Sequence, residues 1–442
     1  MSLATAANLD PAVVARLQES DEEANERVAA GVAAMQGWRT EMEDAHCLQL
    51  DLGGPVDDSS LFAVFDGHGG KEVALYCAKR FPEVLRENLA RSLGAAPERE
   101  GPEGSRGPAL HAGLSDTFFE MDRLMCTEEG MEQIRRLSGG GDSGSEEDGS
   151  PQGSAGEASA GDSRREAAVN AVKSQIQQAL KDLHQQQQGT AGLGAVGGDL
   201  AEAILMDDDS GGVEIVFDDG DATPGATTAG GVAGAGPRGG RPGSGADAGP
   251  SAGCTAVVAL IADGQLIVAN AGDSRCVLCR SGEASALSRD HKPTDPDEHA
   301  RIAAAGGFVT EGRVNGSLNL SRALGDMEYK QRRDLPAEAQ AVTALPEILA
   351  TEIHDCDEFI ILACDGIWDV MTNQQAVDFV RDRLRKGVSL AQICEQACDH
   401  CLAPSTEGSG VGCDNMSIVV VQLKPPLIKR QGSGKVLRPR KV

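Results

Sequence analysis

The chain has 442 residues and a formal net charge of −28, from 40 Lys and Arg against 68 Asp and Glu. This charge argues against nucleic acid as a direct partner and is compatible with basic protein partners. The length allows one large domain or two to three ordinary ones. No apolar run reaches the roughly 18 residues that a membrane-spanning helix needs, so we expect no membrane association.

The chain carries twelve cysteines, and its first residues lack the basic and apolar regions of a secretory signal. Reduced thiols, and therefore a nuclear and/or cytoplasmic location, are expected in preference to a disulfide framework. Cys276 and Cys279 have no second pair at zinc spacing, and Cys394, Cys398 and Cys401 share one helix face. We expect all five to be buried core thiols.

The first third of the chain alternates polar and apolar segments. Residues 1–25 are a polar, acidic lead-in, and Val28–Met35 is predicted to be the first strand. A charged segment then leads to the apolar, β-prone run 62–65. Apolar residues recur at three-to-four spacing over 71–90 and again over 110–137, which predicts two helices.

The composition changes over residues 138–250, which are rich in Gly, Ala and Ser and contain clusters of acids. Too few apolar side chains are present to offset the entropy of ordering, so this segment is predicted to be a disordered insert. The tail 425–442 is basic, and it is either a nuclear import signal or a solvated end.

Strand patterns dominate after the insert, with helical patterns between them. Strands are predicted at 256–261, 265–270, 276–280, 284–287, 348–353, 359–364 and 416–423, and helices at 295–306, 373–385 and 390–402. This clustering favours an α+β fold with mostly antiparallel pairing, in which 26–137 and 251–424 form one domain interrupted by the insert. The usual glycine-rich nucleotide-binding motifs are missing.

Three β-prone runs each end in a carboxylate, at Asp66, Asp273 and Asp365. Burying an unpaired carboxylate costs several kcal/mol, so a cation or solvent must compensate each one. Asp66-Gly67 alone is equally typical of a hairpin turn. A glycine pair and a helical pattern follow it, however, and the same arrangement recurs twice.

More acids lie at strand ends or in tight turns: Glu43, Asp44, Asp369 and Asp414. Oxygen ligands favour Mg²⁺ or Mn²⁺ over zinc. So many carboxylates predict a two-metal site with ions about 3.5 to 4 Å apart, which would generate hydroxide near neutral pH. The reaction class is hydrolysis, most often at phosphorus.

Two further residues fit phosphoryl chemistry. Arg39 could clamp phosphate oxygens, or it could form only a surface ion pair with Glu41 or Glu43. His68 could protonate a leaving alkoxide, or it could be only a turn histidine. No cysteine precedes an arginine at the C-x5-R spacing, which excludes a thiolate nucleophile held in that loop.

The order of the motifs resembles that of a known family. Residues 37–46 (GWRTEMEDAH), 65–70 (FDGHGG), 271–275 (AGDSR), 321–326 (SRALGD), 364–370 (CDGIWDV) and 412–417 (GCDNMS) are similar to successive motifs of the metal-dependent type 2C (PPM) protein serine/threonine phosphatases. The acidic insert resembles that of the nuclear gamma-type branch in location and composition.

The resemblance implies two antiparallel sheets packed as a sandwich, with helices on both outer faces and metals in a cleft at one end. It also implies a flap over about 291–326. The roles it assigns follow motif position: Asp66 bridges two metals, Asp365 and Asp414 hold one, Glu43 and the Gly67 carbonyl hold the other, Asp273 and Asp369 hold a weaker third, Asp44 lies behind the ligands, Arg39 binds phosphate and His68 is the general acid.

We therefore predict a monomeric enzyme that hydrolyses phosphoserine and phosphothreonine in proteins by hydroxide bound to a dinuclear Mg²⁺ or Mn²⁺ centre. The alternative is an acidic binding or scaffold protein that recruits basic partners through the insert.

Overall fold

The computed structural model describes residues 18–56, 58–95, 106–138 and 249–425. The predicted insert and the basic tail lie almost wholly outside these ranges. Within them, no helix is long and apolar enough to cross a bilayer.

The two halves of the described chain contribute strands to the same sheets. The strands are β1 Gln18–Ala24, β2 Val28–Met35, β3 Ala45–Gln49, β4 Ser60–Phe65, β5 Gly67–His68, β6 Gly253–Cys254, β7 Ala256–Ala262, β8 Gln265–Ala271, β9 Arg275–Arg280, β10 Glu283–Ala286, β11 Val309–Thr310, β12 Arg313–Val314, β13 Leu324–Gly325, β14 Glu347–Glu352, β15 Asp357–Ala363 and β16 Met416–Leu423. The α-helices are α1 Glu72–Ala95, α2 Gly107–Met125, α3 Glu128–Leu137, α4 Pro296–Ala304, α5 Asp365–Trp368, α6 Asn373–Arg385 and α7 Leu390–Cys401.

Two antiparallel sheets form the centre of the fold. One has the strand order β1-β2-β16-β15-β9-β10 and the other β14-β8-β7-β4-β3. Successive side chains of a strand point to opposite faces, so both faces of the central strands need apolar residues. In β2, Val28 and Val32 face the core between the sheets, whereas Ala33 and Met35 face the helices outside.

Helices cover both outer faces, which confirms the predicted α-β-β-α sandwich. On the five-stranded sheet, Phe65 meets Phe81 of α1, which meets Phe118 of α2, with ring centroids 5.8 and 5.3 Å apart. On the six-stranded sheet, α7 lies so close to β2 that a Cβ on Gly31 would come within 2.5 Å of Leu390. Glycine is required there by helix–strand contact.

The cysteines predicted to be core thiols lie in the core. Cys276 belongs to the cluster between the sheets, and the other four belong to the cluster under α6 and α7. They therefore serve packing, as small buried hydrophobes.

Two elements differ from the sequence prediction. The acidic lead-in forms β1, an edge strand whose side chains are mostly exposed, so it carries no apolar alternation to reveal it. The single helix expected over 110–137 is two helices. Thr127 separates them because its hydroxyl accepts a hydrogen bond from Gly130 N and so caps α3.

Two smaller elements lie outside the two large sheets. Strands β13, β6 and β5 form a three-stranded sheet, and the region expected to be a flap has its own small core around Ile302 and Val314. Glu298 is fully buried there and forms ion pairs with Arg301 at 2.7 Å and Arg322 at 2.6 Å. This buried triad fixes α4 to the loop that leads into β13.

Candidate active site

Three strand ends deliver carboxylates to one point. Asp66 follows β4 and Asp273 follows β8 of the five-stranded sheet, while Asp365 follows β15 of the six-stranded sheet. One carboxylate oxygen from each lies within 4.8 Å of the others. Asp273 and Asp365 lie at least 207 positions after Asp66 in the sequence. The fold brings all three carboxylates together at one edge of the sandwich, as the sequence predicted.

This cluster carries more negative charge than a buried site tolerates. Burial, followed by the charges of Asp44, Asp365 and Asp273, raises the pKa of Asp66 well above its usual value. Burial and the charges of Asp273 and Asp414 raise the pKa of Asp365 to about 7. A divalent cation would relieve both penalties, since it favours ionised carboxylates. The donor set therefore fits a hard cation such as Mg²⁺ or Mn²⁺.

Arg39 and Asp414 face each other at the rim of this cluster. The Arg39 Nη2 lies 2.6 Å from Asp414 Oδ2, and the Arg39 side chain is 58% exposed. Burial opposes ionisation of Arg39, but the adjacent Asp414 carboxylate outweighs it and raises the pKa. Arg39 is thus a solvent-facing cation beside the acids, and its predicted surface pairing with Glu41 or Glu43 is not what the structure shows.

Asn415 joins the two loops that carry Arg39, Glu43 and Asp414, a role that no local sequence pattern predicts. Its side-chain amide donates to the carbonyls of Gln36 at 2.7 Å and Glu41 at 3.0 Å, and its Oδ1 accepts from Glu43 N at 2.9 Å. Asn415 is only 6% exposed. These three bonds fix the position of the Glu43 backbone relative to Asp414.

Glu43 and Gly67 approach each other through their backbones. A Cβ on Gly67 would lie 2.2 Å from the Glu43 carbonyl oxygen, so only glycine fits there. Glu43 is not among the three carboxylates that lie within 4.8 Å of one another. The structure therefore places the Glu43 backbone against Gly67, the residue after Asp66.

Asp44 lies deeper than the other acids, at 8% exposure. Burial raises its pKa to about 6, against the influence of the neighbouring Ser417 hydroxyl and Cys364 thiol. The charge of Asp44 also raises the pKa of Asp66, so Asp44 affects the cluster electrostatically without belonging to it.

Lys292 occupies the side of the cluster formed by Asp273 and Asp369. Its Nζ forms an ion pair with Asp273 Oδ2, and the Asp273 side chain is only 2% exposed. The charge of Lys292 also lowers the pKa of Asp369, although burial raises it overall. An ammonium group thus already neutralises part of the region where the resemblance implies a third cation.

His68 lies on β5, directly after Asp66 and Gly67, and contacts an acid from the distant flap loop. Its Nε2 lies 2.7 Å from Asp326 Oδ2. Burial lowers the pKa of His68, but the hydrogen bond and charge of Asp326 outweigh this and raise it. Asp326 belongs to the quoted SRALGD motif, but only the fold reveals its contact with His68.

Comparison with known proteins identifies the family. The sequence profile described as Protein phosphatase 2C matches residues 28–143 and 244–410, on either side of the insert. The chain belongs to this family of metal-dependent protein serine/threonine phosphatases, as its motif order predicted.

Individual relatives match over nearly the whole chain. A probable protein phosphatase 2C 11 from Oryza sativa subsp. japonica is 39% identical, over 93% of this chain and 90% of the relative. Human protein phosphatase 1G is 33% identical, over 89% of this chain and 88% of the relative, which supports the gamma-like branch. A crystal structure of a Toxoplasma gondii phosphatase shares the fold at a TM-score of 0.52 and 19% identity, covering 92% of this chain and 96% of that one.

Proposed function

We propose that this chain hydrolyses phosphoserine and phosphothreonine in proteins at the Asp66 cleft, with two Mg²⁺ or Mn²⁺ ions held there. The observation that carries the proposal is the convergence of Asp66, Asp273 and Asp365 within 4.8 Å. Burial and the neighbouring carboxylates raise the pKa values of Asp66 and Asp365, which a bound cation would counteract. When bound, the ions would neutralise this charge and lower the pKa of water for attack on phosphorus.

The geometry and the family motifs both support a set of residues that would bind the two metal ions. Asp365 and Asp414 both help to raise the pKa of Asp66, and the Glu43 backbone lies against Gly67, the next residue. These residues would hold the two ions. Asp273 and Asp369 would hold a weaker third ion where Lys292 now pairs with Asp273.

Arg39 and His68 supply the groups that are not ligands. The exposed guanidinium of Arg39 would bind phosphate oxygens with its planar fork of donors. His68 would donate a proton to the leaving serine or threonine oxygen, a contribution typically worth about 10²–10⁴ in rate.

The test measures phosphate release from a phosphothreonine peptide after the protein has been treated with EDTA. Turnover should return only on adding Mn²⁺ or Mg²⁺, and Asp66→Ala should abolish it. Asp382→Ala is the matched control, because Asp382 is an exposed acid on α6 paired with Lys386 at 2.6 Å. Turnover without divalent ions, or full activity of Asp66→Ala, would contradict the proposal.

A second function is proposed for the acidic insert, residues 138–250, from its composition alone. It would recruit basic protein partners to a monomeric nuclear or cytoplasmic enzyme. Deleting it should preserve turnover of a small substrate such as p-nitrophenyl phosphate and remove binding to a basic protein. A fluorescent fusion lacking residues 425–442 tests whether the tail directs nuclear import.

A further inference from the structure

Asp326 combines an unusual backbone conformation with a buried side chain that contacts His68. Its φ is +52°, in the left-handed region that few residues other than glycine occupy without cost. The backbone is held there because Asp326 N donates to Ala252 O at 3.0 Å and Tyr329 N donates to Asp326 O at 3.0 Å. The side chain is 3% exposed, and it points to His68.

Gly253 leaves the space in which Asp326 and His68 meet. A Cβ on Gly253 would lie 2.4 Å from Asp326 Oδ2 and 2.8 Å from His68 Nε2. Gly253 pairs with His68 on one side of β6 and with Gly325 on the other. The middle strand, β6, therefore lies between the strand that carries His68 and the strand that leads to Asp326. Only glycine at position 253 leaves room for the two side chains to meet.

The hydrogen bond fixes which nitrogen of His68 remains available. Because a carboxylate oxygen normally accepts hydrogen bonds, we assign a proton to His68 Nε2 in this 2.7 Å pair. Nδ1 is then the ring nitrogen left to act on a substrate. Asp326 also prevents rotation of the ring about its side-chain bonds, because a rotated ring would lose a bond of 2.7 Å with a buried charge.

We propose that Asp326 is a positioning residue for the proton donor, which holds His68 by Nε2 and presents Nδ1 to the leaving oxygen of the phosphoester. The inference rests on the proposed function of His68 and adds to it.

In the step itself, water forms a new P–O bond while the P–O bond to the serine or threonine oxygen breaks. His68 begins this step protonated on both ring nitrogens. The electron pair of the broken bond takes the proton from Nδ1, which leaves a neutral imidazole with Nε2–H still bound to Asp326. The proton released by the attacking water passes to solvent.

The experiment compares two substrates that differ in how much they need a proton. A phosphothreonine peptide has a poor leaving group, whereas p-nitrophenyl phosphate needs little protonation. Asp326→Ala should lower kcat for the peptide about 10–100-fold, within the range of general acid catalysis, and change kcat for the nitrophenyl ester and both KM values little. Asp326→Asn, which keeps an accepting oxygen, should recover part of the loss.

The double variant His68→Ala, Asp326→Ala should be no slower than His68→Ala, because the two residues act as one unit. Gly253→Ala should reproduce the substrate-dependent loss from a position that touches no substrate. Asp122→Ala is the control for general loosening of the flap, because Asp122 accepts from Gly325 N at 2.9 Å and does not contact His68. It should lower stability and leave the ratio of the two kcat values unchanged.

Nitrogen-15 NMR of the imidazole rings gives a readout that does not require activity. Signals that vanish in His68→Ala belong to His68. At a pH where the ring is neutral, they should show Nε2 protonated in the wild type and a changed tautomer in Asp326→Ala. An unchanged tautomer in Asp326→Ala would overturn the inference, whatever the activity of the enzyme. A wild-type protein that is inactive on both substrates would instead refute the proposed function. A substrate-dependent loss in His68→Ala without one in Asp326→Ala would overturn the inference alone.

Discussion

Asn415→Ala tests whether the site is held together by the hydrogen bonds of one buried side chain. The substitution removes three hydrogen bonds, to Gln36 O, Glu41 O and Glu43 N. At a net value of about 1 kcal/mol each, the free energy of unfolding should fall by about 3 kcal/mol. Because these bonds fix the Glu43 backbone beside the acids, Mn²⁺ affinity should also fall, by about 10–100-fold.

The two effects are measured separately. Urea denaturation of EDTA-treated protein reports stability without the contribution of bound metal, and the midpoint should shift at constant m. Calorimetric titration with Mn²⁺ then reports affinity. The control Asn88→Ala removes another buried asparagine, which donates to Thr117 at 3.1 Å on the far helices. It should cost about 1 kcal/mol and leave affinity unchanged.

A stability loss well below 1 kcal/mol in Asn415→Ala, or wild-type Mn²⁺ affinity, would refute the reasoning. The first result would show that water replaces the lost bonds. The second would show that the position of Glu43 does not depend on them.

Three further predictions concern buried charge. Lys292→Met should tighten Mn²⁺ binding at the weakest site about tenfold, as measured by electron paramagnetic resonance. The substitution removes a Coulomb repulsion between the ammonium group and the bound ion that is worth up to about 4 kcal/mol at close range. Unchanged binding would contradict this prediction. Burial raises the pKa of Asp365 to about 7 and of Asp44 to about 6, so the folded metal-free protein keeps protons that the unfolded chain has released. Its free energy of unfolding should therefore fall as pH rises from 5 to 8, with Mn²⁺ reversing the trend, and a rise with pH in EDTA would be inconsistent with this account. Glu298→Gln leaves two buried arginines without their shared carboxylate, so urea denaturation should show a loss of about 3–5 kcal/mol, and a loss near zero would mean that water enters the triad.

The sequence predicted the parts of the fold that apolar patterns specify. Strands such as β4 and β15 contain unbroken apolar runs because both of their faces are buried there, and an acid of the site follows each strand. By contrast, β1 is an exposed edge strand, whose pairing to β2 depends on backbone hydrogen bonds. No side-chain pattern marks such a strand.

The site was predictable as a set of acids and was not predictable as a set of contacts. Asp66 and Asp365 were identifiable because a carboxylate at the end of a buried strand requires compensation. The contacts of His68 with Asp326 and of Asn415 with Glu43 join residues 258 and 372 positions apart. Neither follows from local spacing, because only the sheet pairings bring those loops together.

The chain that follows the long insert re-enters the fold beside the catalytic residues. The insert leaves after α3, and the described chain resumes at Gly249, where an added Cβ would lie within 2.8 Å of Cys126 Sγ and 2.6 Å of Met327 Cγ. Four residues later, Gly253 pairs with His68. The recruiting role proposed for the insert would therefore belong to a segment whose continuation reaches the strand that pairs with His68 within a few residues.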